Sequence, residues 1–263
     1  MRIERVELRH VRLVLVSPFV TSMGTEYDEE HIIVRVDAEG ITGWGESVAE
    51  GTPYYSYETV DTAWHILKDF LIPSVLGKDI ALVSEATETY AKVRGHMMAK
   101  AGLEAALWDV LAKAQGKSLS RMLGGIRKKI EVGVSIGIQP SVADLVRKVE
   151  GYLREGYRRI KIKIAPGYDL QFVEALRKEF PELMLQVDAN SAYTLDDIAL
   201  FRKMDDYGLL LIEQPLGYED IYDHSKLQRE LITPICLDES NHSLDDTRAA
   251  IELDSCRVIN IKP

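Results

Sequence analysis

Six strand-length apolar runs, IEVGVSIG, RRIKIKI, LMLQVDAN, LLLIEQP, TPICLDES and CRVINIKP, succeed one another from about residue 128, with amphipathic stretches between them. Three of those stretches open on one helix-start signal, a Ser or Thr followed three residues later by Asp: Ser141 with Asp144, Thr194 with Asp197, Ser243 with Asp246. Strands that alternate with helices through short connections must lie parallel, because each helix carries the chain back to the end of the sheet from which it started. The sheet is then either open and doubly wound or closed into a barrel.

The charged residues that close these runs keep a fixed interval. Lys163 to Asp188, Asp188 to Glu213 and Glu213 to Asp238 are each 25 residues, and Asp238 to Lys262 is 24. One βα unit separates each from the next, so five consecutive strands carry an ionisable residue near the carboxyl end. An open sheet would spread these residues along a line. A barrel gathers them at the rim where such folds build their sites, so the expected fold is an α/β barrel. Three carboxylates without a histidine make a hard, oxygen-only site suited to Mg²⁺ or Mn²⁺, with Asp188, Glu213 and Asp238 as ligands. Glu239 has the opposite strand parity to Asp238 and is expected to be a supporting or salt-bridging group.

In RRIKIKIAP, Ile160, Ile162 and Ile164 alternate with Lys161 and Lys163, so an extended chain sets two ammonium groups on one face. On an isolated strand that face would be solvated; in a helix-covered parallel sheet it is not. Lysine serves as a general base when its pKa falls from about 10.4 toward neutrality, which burial or neighbouring positive charge brings about. Lys161 and a nearby metal would exert that influence on Lys163. With Lys163 on the second of the six strands and Lys262 on the last, two bases stand on opposite sides of a bound substrate. Such a site can remove a proton from a carbon next to a carboxylate while the metal stabilises the enediolate. Returning the proton on the other face racemises; expelling a β-hydroxyl dehydrates.

The first half of the chain has a different texture. IERVELRHVRLVLV, HIIVRVDAEG and ITGWGES read as strands, with a hairpin turn at Ala38-Glu39-Gly40 and a polar loop, SPFVTSMGTEYDEE, between the first two. Helical periodicity follows, clearest in MAKAGLEAALWDVLAKAQG, where Leu103, Leu107, Val110, Leu111 and Ala114 form a stripe and Gly116 ends the helix. Residues 1–125 thus read as an α+β domain and residues 126–263 as the βα domain. A net charge of −10 argues against a nucleic-acid partner, and no apolar run is long enough to span a membrane. Without the apolar core of a signal peptide near the amino terminus, the expected compartment is the cytoplasm. Cys236 and Cys256 lack metal-site or redox spacing and read as reduced core thiols, and the six histidines show no paired metal-binding spacing.

At KIK (161–163), Asp188, Glu213, Asp238 and Lys262 the chain resembles the muconate-lactonizing-enzyme subgroup of the enolase superfamily. VELRHVRLVLVSPFVTSMGT, GWGESVA, MAKAGLEAALWD, GVSIGIQPS, QVDANSAYTL and VINIKP narrow the resemblance to the o-succinylbenzoate synthases that also racemise N-succinylamino acids. The resemblance implies a modified TIM barrel behind a capping domain, and an Mg²⁺-assisted reaction with a lysine base on a small-molecule carboxylate, a lyase step of menaquinone synthesis. It implies Lys163 as the base, Lys262 as its partner across the substrate, and Lys161 as a cation that holds a substrate oxygen. Ser135 and Asn190 match positions lining the substrate pocket. Residues 21–25, TSMGT, match a capping-domain loop that closes over substrate, with Met23 where relatives carry Phe. Dipeptide epimerase and muconate cycloisomerase chemistry remain open within the same subgroup.

Six barrel strands are legible where a closed barrel has eight. The expectation is a further C-terminal segment or chain that completes the barrel; a silent fragment is the alternative, and a homo-oligomer is left open.

Overall fold

Polar residues near the amino terminus turn out to be strand residues. In a computed structural model describing residues 1–262, β1 runs through Ile3–Thr21 and β2 through Gly24–Ala38, so the expected polar loop is a two-residue turn at Ser22-Met23. The reason is ion pairing across the ribbon. Arg12 donates to both carboxylate oxygens of Asp28 at 2.8 and 2.6 Å, and His10 meets Glu30 at 2.8 Å. Opposed charges on facing strands let a polar segment stay extended.

A left-handed pair, Glu39 (φ 48°) and Gly40 (φ 78°), then turns the chain into β3, Ile41–Ser47, with Ala38 opposite Ile41 as the hairpin requires. The sheet order is β1-β2-β3. The helix Met97–Ala114 packs on β3 and buries Leu103, Leu107, Val110 and Leu111, while Ala114 at its end is exposed. Gly116 (φ 60°) closes it as expected. Glycines set the closeness of this packing: a Cβ on Gly45 would stand 2.2 Å from the Gly102 carbonyl oxygen, and one on Gly43 would stand 2.3 Å from that of Ala106.

These elements form one compact unit, Met1–Val16 with Asp28–Ile130. The hairpin tip Ser17–Tyr27 groups instead with the residues from Glu131 onward, in a second unit.

In that second unit all six expected strands form: β4 Gly133–Ile136, β5 Arg159–Lys163, β6 Met184–Asp188, β7 Ile212–Glu213, β8 Ile235–Leu237 and β9 Val258–Ile259. They are parallel, and their spatial order is their order in the chain. An open doubly wound sheet reverses order at a switch point, whereas a singly wound one curls as part of a βα barrel. The helices Val142–Arg154 and Leu244–Glu252 start where Ser141 and Ser243 each accept an amide at 3.1 Å, from Asp144 and Asp246. Thr194 caps a single 3-10 turn before the helix Ile198–Asp205.

Ile160, Ile162 and Ile164 are at most 1% exposed and join Val149, Val173, Leu176 and Phe201 in the layer between strands and helices. Strand alternation then turns Lys161 and Lys163 to the opposite face. Cys236 is buried and Cys256 half-buried, both as free thiols. Among the described residues, no helix is long and apolar enough to cross a membrane.

Candidate active site

The 25-residue interval becomes a level in the sheet. Lys163 stands opposite Asp188, and Asp188 opposite Glu213. The level breaks at β8, where Cys236 and not Asp238 faces Glu213. Asp238 therefore lies two residues farther along, roughly 7 Å at strand rise, and Lys262 lies beyond the end of β9. Parallel strands in a barrel are sheared against one another, and equal sequence spacing does not survive that shear.

Burial removes water from these charges, so each must find a partner. Asp188, 1% exposed, takes two: Lys163 Nζ at 2.7 Å and Lys161 Nζ at 2.8 Å, both at Oδ2. Lys161 also reaches both Glu213 oxygens, at 3.1 and 3.2 Å. Lys262 Nζ lies 2.7 Å from Asp238 Oδ2. Burial alone would raise the Asp188 pKa, but Lys163 and Lys161 outweigh it and hold the carboxyl below its ordinary value. Burial and the charge of Asp188 push Glu213 up, against Lys161. Burial would likewise lower Lys161, yet Asp188 and Glu213 keep its ammonium above the usual lysine range, so Lys161 stands as a fixed cation.

Asn190 links the level to the next loop. Its Oδ1 accepts from Lys163 Nζ at 2.6 Å, and its Nδ2 donates to Glu239 Oε1 at 2.8 Å. Of the two expected roles, supporting or salt-bridging, the geometry fits the first: Glu239 is held by the Asn190 amide, and among the described residues it has no salt bridge and its buried Oε2 has no partner. Burial and the neighbouring Asp238 raise its pKa to about 7.

Ser135 is exposed and stands opposite Lys161 in the β4–β5 register. Together with Lys161, Glu213 and Asn260 it lines a cavity of about 300 Å³. Met23 is half-buried at the hairpin turn, beside Ser22, whose hydroxyl donates to the Ala189 carbonyl at 2.9 Å. The tip is thereby anchored to the segment that carries Asn190.

Two residues of the site escaped sequence reasoning. Asn260 donates to Glu213 Oε1 at 3.2 Å, and Gln214 spans from β7 to the segment after β8. Their only sequence signals are adjacency to Glu213 in LLLIEQP and the place two residues before Lys262 in VINIKP.

As they stand, no three His, Cys, Asp or Glu side chains among the described residues gather closely enough to hold a metal ion; an ammonium lies against each of the three proposed ligands. The chemistry of the donor set nevertheless suits a hard cation. Asp188, Glu213 and Asp238 offer only oxygen, are at most 7% exposed, and with Glu239 outnumber the three lysines.

Residues 3–124 match the mandelate racemase / muconate lactonizing enzyme N-terminal domain, and residues 144–263 match the enolase C-terminal domain-like family. The o-succinylbenzoate synthase of Geobacillus kaustophilus is 52% identical over 99% of this chain and 70% of its own length.

The chain belongs to the enolase superfamily.

Another superfamily relative, the N-succinylamino acid racemase of Thermus thermophilus, is 50% identical over all of this chain and 71% of its own. A solved enolase-superfamily structure from Listeria innocua superposes with a TM-score of 0.95 at 43% identity, covering 99% of this chain and 71% of that one. The parallel strands β4–β9 are accordingly part of an enolase-type barrel, and the α+β unit is the superfamily's N-terminal domain.

Proposed function

We propose that this protein removes the α proton of a carboxylate substrate and acts as an o-succinylbenzoate synthase with N-succinylamino acid racemase activity. The observation that carries the reading is the placing of Lys163 and Lys262 at the two ends of a row of buried carboxylates, each with its Nζ 2.7 Å from one of them. Asp188, Glu213 and Asp238 are the residues that would hold Mg²⁺ or Mn²⁺. Such an ion supplies positive charge against the substrate carboxylate as negative charge builds on its oxygens.

The chain's own groups do the rest. Lys163, oriented by Asn190 and Asp188, takes the proton from one face of the α carbon. Lys161, kept charged by Asp188 and Glu213, offers a cation to a substrate oxygen. Lys262 returns a proton from the opposite face in racemisation; in dehydration it contributes charge near the enediolate, while the β-hydroxyl leaves as water with the proton that Lys163 took. Ser135 and Asn190 border the space for substrate, and Met23, on the tip tethered by Ser22, is the side chain that would meet the substrate's acyl or amino-acid group.

Proton NMR in D₂O with Mg²⁺ tests this, using both hands of an N-succinylamino acid and the cyclohexadiene precursor of o-succinylbenzoate. The expected outcome is deuterium at the α carbon of both enantiomers together with dehydration of the precursor. Absence of both reactions with the ion bound would refute the reading.

A further inference from the structure

Gln214 sits where three strand ends meet. Its N–H donates to the Cys236 carbonyl of β8 at 2.9 Å, and its own carbonyl accepts from the Ser191 N–H, just past β6, at 2.9 Å. The side chain is fully enclosed. Its Oε1 accepts from the amides of Asp238 at 3.0 Å and Ser240 at 3.2 Å. Its Nε2 donates to Ser240 Oγ at 2.5 Å, the Gly217 carbonyl at 3.1 Å and the Leu216 carbonyl at 3.3 Å.

Taken together, the side-chain contacts need a carboxamide. A carboxylate could not donate to the carbonyls, and an ammonium could not accept from the amides. The backbone of Gln214 is also left-handed, φ 36°, immediately before Pro215. A residue other than glycine persists there only where its surroundings over-determine it. Gln214 follows Glu213 in the chain and holds the amide of Asp238, the two carboxylates that barrel shear has set out of register.

We propose that Gln214 is a positioning residue of the site: its carboxamide fixes the separation of Glu213 from Asp238 and so sets the gap that a divalent cation spans. This rests on the reading above that both carboxylates are ligands. Sheet pairing fixes Cys236 against Glu213 but ends before Asp238; the side-chain bridge carries the constraint on to Asp238.

Mn²⁺ binding, read from the paramagnetic resonance of the free ion, and α-proton exchange in D₂O are to be measured on the intact protein and on two variants. Gln214→Met keeps length and bulk and removes every polar contact. It is expected to raise the Mn²⁺ dissociation constant about tenfold or more, and to lower kcat at saturating Mn²⁺ while leaving KM nearly unchanged. Ser240→Ala removes one acceptor of the carboxamide and the hydroxyl's own long bond to the Gly217 carbonyl; it is expected to weaken Mn²⁺ binding about threefold or more, with an unfolding midpoint close to the parent's. Binding within twofold of the parent in both variants overturns the proposal, even if Gln214→Met melts earlier. Should Gln214→Met fail to fold, Ser240→Ala decides by the same criterion. A parent that binds no Mn²⁺, or whose binding is untouched by Asp188→Asn, overturns instead the functional reading beneath it.

Discussion

Lys163 stands directly opposite Asp188 in the β5–β6 register, and its Nζ lies 2.7 Å from Asp188 Oδ2. The proposed base is thus aimed by the sheet itself, so its loss should remove chemistry and leave the fold. Lys163→Ala is expected to cut α-proton exchange of one enantiomer by about 100-fold or more, the usual scale for a positioned base. Lys262→Ala should do the same to the other enantiomer. Separate D₂O exchange time courses for each hand check this, and undiminished exchange of both hands in either variant contradicts the assignment.

Lys161 is the cation shared by Asp188 and Glu213. Lys161→Met leaves Glu213 without its ammonium and Asp188 with one. Breaking a buried pair costs about 3–5 kcal/mol; because the Lys161 side chain keeps 20% of its surface exposed, about 3 kcal/mol is expected. Mg²⁺ should raise the melting temperature of this variant more than that of the parent, since added positive charge is worth most where a cation was removed. Thermal melts with and without Mg²⁺ decide it, and an equal shift in both proteins would count against a carboxylate-bound ion.

Asp205 ties the helix Ile198–Asp205 to the approach to β8, accepting the amides of Ile232 at 2.8 Å and Thr233 at 2.6 Å. Burial would raise its pKa, but the hydrogen bonds from Thr233 and Ile232 outweigh burial and hold it below the ordinary 3.8. A carboxyl with a depressed folded pKa contributes stability above its unfolded pKa and loses it as pH falls through the folded one. Asp205→Asn should therefore be less stable than the parent at pH 7, by about 1 kcal/mol, with the gap narrowing once the pH drops below 3.8. Urea titrations at several pH values report this; a gap that widens in acid would show the sign to be wrong.

Gly45 lets β3 lie against the backbone of the helix Met97–Ala114. Gly45→Ala would place a methyl 2.2 Å from the Gly102 carbonyl oxygen and 2.6 Å from the Ala106 nitrogen, and neither atom can swing aside. The expected loss is about 3 kcal/mol, at the upper end for overpacking. Circular dichroism in urea measures it, and a loss below about 1 kcal/mol would mean that the helix can lift off at little cost.

The 25-residue interval made the level of Lys163, Asp188 and Glu213 legible before any coordinates, because one βα unit carries the chain once around and back. Shear was not legible: nothing local in TPICLDES says that Cys236, and not Asp238, will face Glu213. SPFVTSMGTEYDEE read as a loop because polarity is scored residue by residue, while the ion pairs that keep it extended join residues 16 and 20 positions apart, Arg12 with Asp28 and His10 with Glu30. Lys161 read as a group whose neighbour would be stripped of charge; its own charge is fixed by two carboxylates that only the fold brings near. Gln214 carried no chemical signal, since a carboxamide neither titrates nor attacks, and its bridge across the sheet runs to residues 24 and 26 positions away.

Beyond β6 the chain turns through Asn190 (φ 43°) and Ser191 (φ 63°), both left-handed. Serine bears that conformation at about 1 kcal/mol, an expense a glycine would escape. Selection for heat resistance alone would be free to relax this corner, whereas selection for turnover would not, because the same corner aims the Asn190 amide at Lys163. Variants evolved toward these two ends should therefore part company first at position 191, far from the hydrophobic layer where stabilising changes are usually sought.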